Sequence, residues 1–160
     1  MNTERLHDVY LGLGSNLGDK EKNIRFALEN IDKRIGKVIA CSAFFITEPD
    51  GFESDNLFVN AACRIETNLE PLEVLEYTQV IEREMGRHSK SYNKVYSDRI
   101  IDIDVLLYDD LILEYPHLIL PHPHLHEREF VLLPLAEIAK GITHPVLHKT
   151  INQLKRELKA

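Results

Sequence analysis

Twice along this chain a stretch with apolar residues at helical spacing lies between runs in which every second residue is apolar, and this change of period narrows the possible folds more than any other feature. The run DVYLGLG, residues 8–14, reads as a buried strand entering a Gly-Ser-Asn-Leu-Gly turn. In DKEKNIRFALENIDKRIG the apolar stripe is Ile24, Leu28, Ile31 and Ile35, with Asp19 as N-cap and Gly36 as the stop. KVIACSAFFIT, residues 37–47, is β-branched and aromatic and predicts one strand, and Pro49 and Gly51 mark the loop after it. FVNAACRIET puts Val59, Ala61, Cys63 and Ile65 on one face of a strand and Phe58, Asn60 and Arg64 on the other. Pro71 opens a second helix, PLEVLEYTQVIEREMG, with Val74, Ile81 and Met85 on its core stripe, Gln79 and Glu82 on one flank, and Gly86 at its end.

Beyond this helix RHSKSYNKVYSD, residues 87–98, has no periodicity, and loops of that length are functional or disordered. RIIDIDVLL is again a strand and DDLILEY its expected hairpin partner. HEREFVLLPLAEIA predicts a helix interrupted at Pro134, and Thr150 with Gln153 forms a capping box that opens a last helix. The order β-α-β-β-α-β, followed by a hairpin and two C-terminal helices, predicts an α+β fold of the ferredoxin-like sandwich type. Helices are expected on one face of a largely antiparallel sheet, leaving the other face for a site. One domain is expected over residues 1–160.

With 26 acidic and 19 basic residues the chain carries a net charge of −7, which argues against a nucleic-acid footprint spread over its surface. Residues 83–99 run against that balance: Arg83, Arg87, Lys90, Lys94 and Arg99 face only Glu84 and Asp98, an island suited to an anionic ligand. No apolar run approaches the roughly 18 residues that span a bilayer, and MNTERLHD has no signal-peptide pattern, so a cytoplasmic protein without membrane contact is expected. Cys41 and Cys63, both in apolar strand runs, are expected to be buried thiols rather than a disulfide.

The feature that packing does not explain is the pair Asp102 and Asp104. With a period of two they project from one strand face, about 6.6 Å apart at Cα, while Ile101, Ile103, Val105 and Leu107 fill the other. Like charges so close need a shared proton or a cation, and an all-oxygen pair favours Mg²⁺ with water and substrate phosphates completing its shell. Arg99 at one end of the basic loop and Arg87 at the other supply the remaining parts of a phosphoryl-transfer site. His122, His124 and His126 in LPHPHLHEREF allow two readings: a zinc site, which the interrupting prolines oppose, or with Arg128 a phosphate-binding segment at a helix start. GLGSNLG matches neither the dinucleotide nor the P-loop glycine spacing and reads as structural.

Six stretches in order, YLGLGSNLG, FFITEPDG, FVNAA, QVIEREMGR, RIIDIDVL and LPHPHLHEREFVLLPL, resemble the 6-hydroxymethyl-7,8-dihydropterin pyrophosphokinases of folate biosynthesis over nearly the whole chain. The resemblance implies transfer of pyrophosphate from ATP to the pterin hydroxymethyl oxygen with release of AMP. It implies Asp102 and Asp104 as ligands of two Mg²⁺ ions, and Arg87 and Arg99 as catalytic arginines that neutralise the transferring phosphates. Gln79, Glu82, Val105, His122 and Arg128 match ATP contacts, together with both arginines; Thr47, Phe58, Asn60, Tyr96 and Phe130 match a pterin pocket of stacked rings and a few convergent hydrogen bonds. It implies no obligate protein partner. The chain departs from the family pattern at Ser97 and Asp98, where glycine and proline usually precede the arginine, at Ser89, often basic, at Tyr96, a tryptophan in some members, and at Asp50, where an apolar residue can border the pterin.

Overall fold

The computed structural model describes residues 5–47, 57–86 and 100–159. Seven strands and four helices are seen among them: β1 (His7–Ser15), α1 (Lys20–Arg34), β2 (Lys37–Cys41), β3 (Phe45–Thr47), β4 (Phe58–Thr67), α2 (Pro71–Glu84), β5 (Asp102–Tyr108), β6 (Leu113–Glu114), β7 (Ile119–Leu120), α3 (Glu129–Ala139) and α4 (Ile151–Lys159). The main sheet is antiparallel in every pairing, in the order β2-β4-β1-β5, with β3 also on β4. This is the expected α+β ferredoxin-like arrangement. The caps read from the sequence are present: the Asp19 carboxylate accepts Lys22 N–H, and Thr150 and Gln153 satisfy each other's backbone N–H groups. Gly36 has another role than a left-handed stop, since a Cβ there would run into the Glu66 carbonyl where β4 passes.

Two apolar layers flank the sheet. Ile24, Ala27 and Ile31 of α1 and Val74 and Ile81 of α2 pack on Val9, Leu11, Leu13, Ile65, Ile103 and Val105. On the other face Leu132, Leu135 and Ala139 of α3 and Ile151 and Leu154 of α4 pack on Tyr10, Ala62, Leu106 and Leu107. The second face is therefore not free over its whole extent as the sequence suggested; the two C-terminal helices close over one end of it, leaving the half-buried Asp102 and Asp104 beyond.

Five local expectations are corrected. The strand over 37–47 is two strands, broken at Ser42, whose hydroxyl takes the Ala62 N–H, while Ala43 N–H goes to Glu137 of α3. β5 skips a residue in its pairing with β1: Tyr10 faces Leu107 and Leu11 faces Val105, so Leu106 is a bulge and Leu107 lies on the α3 face, opposite to Ile103. The segment after β5 pairs with β7 through a turn at Tyr115–Leu118, not with β5. Pro134 sits inside α3 without ending it, turned into the core. Cys63 is buried as expected, but Cys41 is exposed on edge strand β2.

Candidate active site

Register alone lays out the site. Asn60, Gly14 and Asp102 are successive cross-strand partners on β4, β1 and β5, and Ala62, Gly12 and Asp104 form the adjacent row. Directly opposed residues in an antiparallel pair project from one face, so each aspartate stands across from a position without a side chain. The expectation that both carboxylates share a face holds, because the Leu106 bulge falls after them.

At one end of the row the Asn60 side chain is nearly fully buried and donates from Nδ2 to Thr47 Oγ1 at 2.7 Å. β3 delivers Thr47: the Ser42 break re-aims the chain so that Thr47 pairs with Phe58 and Phe45 with Asn60. The Phe58 ring lies within 3.6 Å of where a Gly14 side chain would begin, which puts Thr47, Asn60 and Phe58 in one group.

At the other end the bulge has a second effect. The freed Leu106 carbonyl accepts His122 N–H at 3.0 Å and so anchors the LPHPHLH segment beside β5. His122 Nδ1 accepts His124 N–H at 3.1 Å, which leaves the proton of the neutral ring on Nε2. Burial, then the charge of Arg128 and His124, pushes its pKa down to about 4, with Asp102 opposing, so the ring is a neutral donor at pH 7. Arg128 begins α3 and lies over the Phe130 ring at 5.6 Å.

Glu82, matched in the sequence to an ATP contact, is buried. Only 4 % exposed in the last turn of α2, its Oε2 accepts Ile103 N–H at 2.8 Å, between the two aspartates on an edge strand. Residues of a strand alternate the side to which their N–H and C=O point, so the main-chain groups of Val105, like those of Ile103, face the outer edge of β5, while its side chain is in the core. Gln79 is half-buried one turn earlier on α2. The three histidines do not converge: His124 reaches Glu127 at 3.1 Å, His126 turns to His144 with ring centroids 6.2 Å apart, and no group of three metal-ligating side chains occurs among the described residues. Arg87, Tyr96 and Arg99, with Ser89, Ser97, Asp98 and Asp50, lie outside the described residues. Gly12 and Gly14 were missed as site residues. The signal was present, since glycines two apart inside a strand pattern share one face.

A family model described as 7,8-dihydro-6-hydroxymethylpterin-pyrophosphokinase (HPPK) matches residues 10–140. A 2-amino-4-hydroxy-6-hydroxymethyldihydropteridine pyrophosphokinase of Porphyromonas gingivalis is 46% identical over 138 residues, covering 86% of this chain and 93% of its own. One of Bacillus subtilis is 40% identical, covering 84% and 79%. The Dictyostelium discoideum folic acid synthesis protein FOL1 is 39% identical over 94% of this chain, which matches only 22% of that longer protein. A crystal structure of Plasmodium falciparum HPPK-DHPS superposes with a TM-score of 0.78 at 17% identity, covering 96% of this chain and 43% of that one, a likeness of fold.

Proposed function

The chain belongs to the 7,8-dihydro-6-hydroxymethylpterin-pyrophosphokinase family, and on that premise we propose how its own residues transfer pyrophosphate from ATP to 6-hydroxymethyl-7,8-dihydropterin in folate biosynthesis. In this reaction the hydroxymethyl oxygen bonds to the β-phosphorus, the bond from that phosphorus to the oxygen bridging it to the α-phosphate breaks, the hydroxyl proton is lost, and AMP departs. The observation that carries the reading is the sheet row in which Asn60, Gly14 and Asp102 stand side by side, one end suited to a polar heterocycle and the other to a cation.

Asp102 and Asp104 would hold two Mg²⁺ ions. The donor set fits: two carboxylates on one strand face, with no third ligand group among the described residues, suit a hard ion that completes its shell from water and phosphate. When bound, Mg²⁺ neutralises charge on the triphosphate and polarises its oxygens. His122 donates Nε2–H to a phosphate oxygen without adding charge, and Arg128 supplies charge beside it. Arg87 and Arg99 clamp the transferring phosphates. Val105 offers its main-chain edge to the nucleotide, with Gln79 on the same side. Glu82 acts on that side by fixing the edge of the strand that carries both aspartates. Thr47 orients the Asn60 amide, which reads the pterin's polar edge, while Phe58, Phe130 and Tyr96 stack on its faces. The enzyme works as one catalytic domain in the cytoplasm, with no obligate protein partner.

The test is chromatography of nucleotides after incubation with ATP, Mg²⁺ and the pterin, with a control lacking the pterin. AMP and a diphosphorylated pterin are expected only in the complete mixture. ADP in place of AMP would overturn the reading, as would AMP formed equally without the pterin.

A further inference from the structure

Gly14 is a glycine for which the backbone offers no reason. Its φ lies outside the left-handed region, unlike Gly18 and Gly86, and glycine weakens a strand interior. The reason lies in side chains. A Cβ at Gly14 would come within 2.9 Å of Asn60 Oδ1, closer than carbon and oxygen tolerate, and within 3.6 Å of the Phe58 ring. Asn60 cannot retreat at low cost, because it is only 5 % exposed and its Nδ2 is held by Thr47 Oγ1 at 2.7 Å. Two other glycines show the contrast. At Gly12 the nearest atom is Leu106 Cδ1 at 3.3 Å, the yielding end of an apolar side chain, and at Gly36 it is the Glu66 carbonyl, a demand of the fold alone.

We propose that Gly14 is a specificity-determining positioning residue for the pterin: its missing side chain fixes the Asn60 carbonyl and keeps bare the strip of sheet between Asn60 and Asp102 where the hydroxymethyl group reaches the polyphosphate. This rests on the pyrophosphokinase reading of the site. Gly14 acts on the pterin end through Asn60, and it leaves the ATP contacts, which come from β5, α2 and the segment around His122, in place.

The experiment measures AMP formation by the wild-type chain, then equilibrium binding of the pterin and of ATP with Mg²⁺, each by calorimetry, to wild type, Gly14→Ala, Asn60→Ser and the double variant. Gly14→Ala is expected to weaken pterin binding about tenfold and ATP binding less than about twofold; on the Asn60→Ser background, where the crowded oxygen is withdrawn, it should cost the pterin less than about twofold. No AMP from wild type would overturn the site reading and this proposal together. AMP from wild type with unchanged pterin affinity in Gly14→Ala, or with the same loss on both backgrounds, would overturn the proposal alone. Gly14→Ala and the double variant both failing to fold would assign the glycine to the fold and overturn it too.

Discussion

Two pairs of aspartates border β1 and β5, one at each end of the sheet, and the fold treats them oppositely. Asp8 accepts from Arg64 Nε at 2.9 Å and Nη2 at 2.8 Å; Asp109 meets His7 Nδ1 at 2.7 Å and takes the Asp8 N–H at 2.8 Å. Asp109, at φ 50, also returns its own N–H to the Asp8 carbonyl, so this pair ties the strand ends together. A cleft of about 670 Å³ lies there, lined by Asp8, Tyr10, Arg64, Asp109 and the start of the α3–α4 connection, and its ion pair is already closed. Asp102 and Asp104 face glycines instead. At the first end the carboxylates are taken up by Arg64 and His7 and fasten the strand ends, whereas Asp102 and Asp104 lie opposite Gly14 and Gly12 of β1, Asp102 on the sheet row that also carries Asn60.

The strongest way to break this comparison is to neutralise each pair in turn. Asp102→Asn or Asp104→Asn should cut turnover more than about 10³-fold, the loss of several kcal/mol of transition-state stabilisation, while the fold is retained. Asp8→Asn should leave turnover within about twofold and lower stability by roughly 0–1 kcal/mol, the range for a partly exposed ion pair. Matching turnover losses at both ends, by steady-state assay, would erase the distinction.

A smaller effect is expected at Glu82, which holds the reactive pair's strand without belonging to the pair. Glu82→Ala strands the Ile103 N–H and should cost about 1–3 kcal/mol in urea unfolding, with a fall in turnover. Glu82→Gln keeps an acceptor and should recover the larger part of both; equal losses in the two variants would mean that the hydrogen bond to β5 is not what matters.

The smallest effect lies away from both pairs. Buried His144 accepts Val146 and Leu147 N–H on Nδ1, and burial, then His126 and His148, holds its pKa below the usual 6.5. Because the folded value is the lower one, the unfolded chain takes the proton first. Its contribution to stability is complete above about pH 6.5 and is lost as pH falls toward the lowered value. The urea midpoint of wild type should therefore fall more steeply below about pH 6.5 than that of His144→Asn, whereas parallel curves would remove His144 from the acid response.

What was legible in the sequence was whatever depends on near neighbours. The caps at Asp19 and Thr150 need residues three positions away, and the common face of Asp102 and Asp104 needs only the strand period. What was not legible depends on distant chain. The strand over 37–47 breaks because Glu137, 94 residues further on, takes the Ala43 N–H. Leu107 was placed on the wrong face because a bulge is a property of two strands and not of one. DDLILEY was given to β5 because sequence adjacency favours a hairpin, yet β7 pairs with it. Of the site, Thr47, Phe58 and Asn60 come together in the structure, whereas the hydrogen bond from Ile103 to Glu82 could not be read, because helical spacing does not reveal an edge strand lying beside the helix.

The bulge at Leu106 splits β5 into two segments of opposite phase. Upstream, odd-numbered residues face α1 and α2; downstream that orientation passes to even-numbered Tyr108, whose hydroxyl reaches the Leu69 carbonyl at 2.6 Å. The change of phase falls after both aspartates, which therefore keep one face. One inserted residue thus does two jobs, letting the end of β5 face α1 and α2 with Tyr108 and handing a carbonyl to the His122 segment.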